Sequence, residues 1–166
     1  GDSSAYGRGV RVCSYVSSGG HFRLHYTTQG ADAVSATDAN QNNVPDYVET
    51  FAGYLEEAWT REVEEMGFDA APPDGVLGGD CLLDVYIKDM NAYGVTVWEN
   101  DPSDVYLIVE NDYTGFPANL NDDCPNGTTA DCRQGAMKVT AAHEFFHTMH
   151  WQMTQDVNSN GWWMET

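Results

Sequence analysis

The residues with the clearest chemical meaning are His143-Glu144-Phe145-Phe146-His147. On a helix, side chains four apart stand one turn above each other on the same face. Two imidazoles so placed can share one tetrahedral zinc ion, and the Glu after the first His projects toward the open coordination position. There it can take a proton from water held by the metal, the step on which zinc-dependent peptide hydrolysis turns. The pattern falls within residues 135–153, which read as one helix, opened by turn residues and carrying Val139, Ala142, Phe146 and Met149.

A catalytic zinc takes three protein ligands. Position 153, where a third His would mark the metzincin pattern, is Met. His150 shares the helical face, but a straight helix cannot wrap three consecutive turns around one ion about 2 Å from each nitrogen. It is therefore expected to support the site or lie at the surface. Glu165 remains, beyond a turn-rich link and Trp162-Trp163. A second helix starting near Trp162 and crossing the first would bring that carboxylate to the metal.

A second metal pattern runs from Asp38 to Glu49. It fits the twelve-residue EF-hand template, with side-chain oxygens from Asp38, Asn40, Asn42, Asp46 and Glu49 and the backbone carbonyl of Val44. Asn43 replaces the usual Gly at position six, and Asn tolerates the left-handed backbone that turn needs. The stretch before it is not helical, so this is expected to be a calcium loop on a different scaffold. The competing reading is an Asx-rich turn that caps the helix at Pro45. Residues 156–161 repeat the first half of the template without its closing carboxylate and read as a turn.

His-Glu-x-x-His followed after a loop by a Glu on a second helix resembles the gluzincin metallopeptidases, the group that contains thermolysin. Trp162-Trp163-Met164-Glu165-Thr166, with Pro45-Asp46-Tyr47-Val48-Glu49 upstream, is similar to secreted bacterial metallopeptidases akin to immune inhibitor A. The resemblance covers residues 21–166 loosely and is specific at these two motifs. It implies His143, His147 and Glu165 as zinc ligands and Glu144 as general base. It also implies an α+β, zincin-like fold: a small mixed β-sheet packed on a long backing helix and an active-site helix. Gluzincins continue past the ligand Glu, and their transition-state-stabilising Tyr or His lies in that later part. Residues 1–166 are thus expected to form one minimal or trimmed catalytic domain that lacks a C-terminal subdomain.

The elements that must position these groups follow from hydrophobic periodicity. Residues 10–16 and 21–26 read as strands of a hairpin joined by Ser17-Ser18-Gly19-Gly20. Phe22, Leu24 and Tyr26 alternate with His21, Arg23 and His25, which places the histidines on the more polar face without a motif of their own. From Pro45 to Met66, apolar residues recur at helical spacing through Val48, Phe51, Leu55, Trp59 and Val63, with Glu56, Glu57, Glu62 and Glu64 expected on the other side. Residues 81–87 read as a central strand. Residues 106–109 read as another, expected to offer its edge to an extended substrate. Asn91-Ala92-Tyr93-Gly94 and Asn100-Asp101-Pro102 are turn-like.

Length and composition bound the rest. The 166 residues suit one core, and 42% hydrophobic and 12% aromatic content is that of a folded chain. Seven Lys and Arg against 26 Asp and Glu give a net charge of −19. That argues against nucleic-acid binding, which needs clustered cations, and against anionic lipid. No apolar run approaches the roughly 18 residues of a membrane span, and the opening Gly1-Asp2-Ser3-Ser4 has no basic-then-apolar leader pattern, so a secreted protein is expected here with its signal already removed. Cys13, Cys81, Cys124 and Cys132 form no Cys-x-x-Cys pair. Of the three possible connectivities, 13–81 with 124–132 is expected, the second stapling a hairpin tip, and an even count in turn-rich surroundings suggests an extracellular compartment.

The function expected is a secreted zinc endopeptidase, monomeric and calcium-stabilised, acting on peptide or protein substrates and associated at some stage with its own downstream or pro-segment. The alternative is a catalytically silent extracellular binding module stabilised by calcium and zinc. Glu144 discriminates between them, because an inert site has no need of it.

Overall fold

A computed structural model describes residues 13–71, 79–98, 105–116 and 129–154. Five strands and two helices form a mixed α+β structure. Strands β1 (Cys13–Val16) and β2 (Phe22–Tyr26) make the expected hairpin, antiparallel with Val16 opposite Arg23. Its turn is closed by Gly20 in the left-handed region, φ 79°, where glycine alone is at ease. Helix α1 (Asp46–Trp59) follows and runs into a π-helical turn, Thr60–Glu65. Then come β3 (Leu83–Lys88), β4 (Gly94–Trp98), β5 (Val105–Glu110) and helix α2 (Thr129–Thr154).

The strands lie in the order β1-β2-β3-β5-β4. The three central ones are parallel and the two outer pairings antiparallel. Strands buried on both faces read as continuous apolar runs, and every residue of β5 is buried. One face packs Phe22, Leu24, Val85, Ile87, Leu107 and Val109 against Val48, Phe51 and Leu55 of α1 and Met137, Ala141, Phe145 and Met149 of α2. The opposite face gathers Tyr86, Tyr106 and Ile108 with Met90, Val95 and Val97.

The structure departs from the expected arrangement at several points. Strand β4 was not foreseen; it occupies the sheet edge, and β5 lies between it and β3. Residues 106–109 therefore have no free edge to offer a substrate. The backing helix is 14 residues of α-helix rather than a long one, because hydrogen bonds such as Met66 N–H to Arg61 C=O widen its end into a π-turn. Glu62 is buried, not outward. It follows Leu55 and Ala58 at helical spacing and falls on their inward face.

On α2, Val139 is 60% exposed, and the packed stripe is Met137, Ala141, Phe145 and Met149. The helix starts at Thr129, so Cys132 lies within it and not at a hairpin tip. Cys124 lies outside the described residues, and with it the 124–132 pairing. Cys13 and Cys81 are free and exposed. The register explains why. Cys13 pairs with Tyr26 at one end of β2, while Phe22 at the other end pairs with Leu83, next to Cys81. At about 3.3 Å per residue the two sulfurs stand at opposite ends of the sheet, well beyond the roughly 7 Å Cα separation a disulfide spans.

Candidate metal centre and its acid–base group

Phe145 anchors the site from below. It is fully buried, edge-on to Phe22 at 5.2 Å between ring centroids and stacked on Trp59 at 5.7 Å. Trp59 in turn lies flat on His21, 3.8 Å away and 12° from parallel. With Phe145 turned into the core, the helical period turns His143 and His147 to the other side. Their Nε2 atoms converge to 2.9 Å, the rings nearly perpendicular at 89°. His143 is exposed and His147 only 5% exposed, so the pair stands with one imidazole in the protein and one at its surface.

Two nitrogens bound about 2.05 Å from one tetrahedral ion are separated by about 3.3 Å. The observed spacing is within a few tenths of an ångström of that, and both rings present the same nitrogen type, so the donor pair fits zinc. His150 does not join them. Its ring is 6.2 Å from His147 and packs edge-on against Phe146 at 4.0 Å. Burial and the neighbouring His143 hold its imidazole below the ordinary value. Glu165, the expected third ligand, lies outside the described residues, as does the stretch 156–161. Among the described residues, no group of three or more His, Cys, Asp or Glu side chains is gathered to hold a metal.

Glu144 is 6% exposed and lies under the edge strand β4. The Thr96 hydroxyl donates to its Oε2 at 2.9 Å and reaches its main-chain carbonyl at 2.8 Å. Gly94 comes so close that an added Cβ would sit 2.7 Å from Glu144 Cγ and 2.8 Å from Thr140 Cγ2. Thr96 and Gly94 were missed in the sequence. The signal was there in the β-branched run Val95-Thr96-Val97, whose alternation places Val95 and Val97 on one face and Gly94 and Thr96 on the other.

The Asp38–Glu49 segment closes on itself as an oxygen-rich loop. Asp38 accepts the N–H groups of Asn42 and Asn43 at 3.1 and 2.8 Å, and Asp46 accepts that of Ala39 at 3.0 Å. The amides of Asn40 and Asn42 both clasp Glu49, at 2.9 and 2.7 Å. Asn43 adopts φ 69°, as position six of the template requires, and Gln41 adopts φ 60°. The Oδ1 atoms of Asn40 and Asn42 meanwhile accept the N–H groups of Asn42 and Val44, which is Asx-turn geometry. All five expected side-chain donors thus lie in one loop, their oxygens engaged in hydrogen bonds within it, and Asp38, Asp46 and Glu49 are not gathered into a metal-holding group.

Comparison with protein-family models, with curated proteins and with solved structures finds no match to this chain.

Proposed function

We propose that the chain is a zinc-dependent endopeptidase of gluzincin type, with a zincin-like catalytic domain, secreted and stabilised by calcium. The observation that carries this reading is the convergence of the His143 and His147 Nε2 atoms at 2.9 Å beside a buried Glu144. His143, His147 and Glu165 would hold the zinc. When bound, zinc lowers the pKa of water and polarises a carbonyl.

The chain's own groups do the rest. Glu144 takes the proton from the attacking water and delivers it to the leaving amine. Its burial beneath β4 keeps bulk water from competing for the carboxylate. The outer edge of β4 offers main-chain hydrogen bonds to an extended peptide. Asp38, Asn40, Asn42, the Val44 carbonyl, Asp46 and Glu49 would bind calcium and lock the start of α1.

The deciding experiment pairs two variants. Glu144→Gln should keep zinc and lose peptide hydrolysis by about 10² to 10⁴-fold. His147→Ala should lose zinc and activity together. Zinc-loaded Glu144→Gln that keeps more than about a tenth of the parental casein hydrolysis would sink this mechanism.

A further inference from the structure

Strand β4 presents alternate residues to α2, and two of them meet Glu144 directly. Thr96 is 7% exposed, and its hydroxyl carries one hydrogen for two acceptors on Glu144. The bond to the main-chain carbonyl would be enough to seat the strand on the helix. The bond to Oε2 does something different: it selects one rotamer of the carboxylate. Gly94 completes the seat, because any larger residue would press on Glu144 Cγ and Thr140 Cγ2. The carboxylate is therefore held in part from a strand distant in sequence.

We propose that Thr96 is a positioning residue for Glu144, with Gly94 supplying the space in which that carboxylate is held. This rests on the reading of Glu144 as the base. It goes further in tying the base to the edge strand of the described sheet, the strand that would take the substrate. A peptide added to β4 and a proton acceptor bonded to β4 share one rigid frame, so substrate backbone and base are aligned by the same strand.

The test uses the whole chain. Thr96→Val removes the hydroxyl and keeps the shape. It should lower kcat about 3- to 10-fold, the range of one hydrogen bond, with KM and zinc content within about twofold of the parent. Thr96→Ser restores the hydroxyl and should restore kcat. Gly94→Ala should lower kcat in the same way, by displacing the carboxylate. Thermal unfolding of the zinc-free chain gives a readout independent of activity. Thr96→Val should lower Tm, and by less when Glu144→Ala has already removed the side-chain acceptor. An active parent whose kcat Thr96→Val leaves intact, or an equal Tm loss in both backgrounds, overturns the positioning role and leaves the peptidase reading standing. Zinc-loaded Glu144→Gln that hydrolyses peptide near the parental rate overturns both.

Discussion

The imidazole of His25 is bonded through Nε2 to Oδ1 of Asp84 at 2.8 Å, and Asp84 is fully buried. His25 also lies flat on Tyr86, 4.6 Å between centroids and 9° from parallel. A histidine with no motif of its own is thus part of the join between β2 and β3. Removing one partner of a buried hydrogen bond typically costs about 1–3 kcal/mol. His25→Ala should therefore cost about 1–3 kcal/mol of stability, read by denaturant unfolding, although it lies outside the candidate metal centre. A loss below about 0.5 kcal/mol would mean that Asp84 is satisfied without it.

Glu62 sets a second expectation. Burial raises its carboxyl from 4.5 to about 7, and its Oε2 has no hydrogen-bond partner. The folded value lies above the unfolded one, so the contribution is fully present below about pH 4.5. It is lost as pH rises toward 7, where the unfolded chain releases a proton that the folded chain keeps. Glu62→Gln stays neutral throughout. It should match the parent near pH 4 and exceed it by up to about 3 kcal/mol at pH 8, as read from Tm and denaturant midpoints. Equal stability at pH 8 would show that the folded protein hydrates this carboxylate.

For the Asp38–Glu49 loop, millimolar calcium added after chelation should raise Tm, because the ion favours the folded chain. Glu49→Gln should abolish most of that rise by removing the bidentate carboxylate. A Tm indifferent to calcium would leave the loop as a set of Asx turns that start α1.

The two exposed thiols give the simplest measurement. Cys13 and Cys81 should both react with a thiol reagent in the native protein without prior reduction, and Cys13→Ser should leave Cys81 just as reactive. A native chain in which neither reacts would contradict the sheet register.

Much of this architecture is written in short-range patterns. The β1–β2 hairpin follows from alternation at Phe22, Leu24 and Tyr26. Helix α1 follows from Val48, Phe51 and Leu55, and the left-handed Asn43 from its place in the loop. What escaped depends on partners distant in sequence. Strand β4 is short, and its first residue, Gly94, also closes a turn-like run, so local cues pull both ways. Its meaning lies in Leu107, across the ladder from Thr96, and in Glu144, 48 residues later. The burial of Glu62 is hidden in the sequence because its charge argues against the inward face that its helical phase dictates. The 13–81 pairing failed because nothing local says which end of a strand faces which.

Chain order has a consequence in time. The hairpin closes over a few residues, and all five described strands are present once Glu110 has been made. Helix α2 must then dock on partners as early as Phe22, a contact far apart in sequence. At the usual pace of synthesis, roughly 1–4 s separate Glu110 at the end of β5 from Thr129 at the start of α2. During that interval the nascent chain has its strands and α1 but not the histidine helix. Whatever reactivity His143, Glu144 and His147 carry is withheld until the strands and helix α1 have been made to receive it.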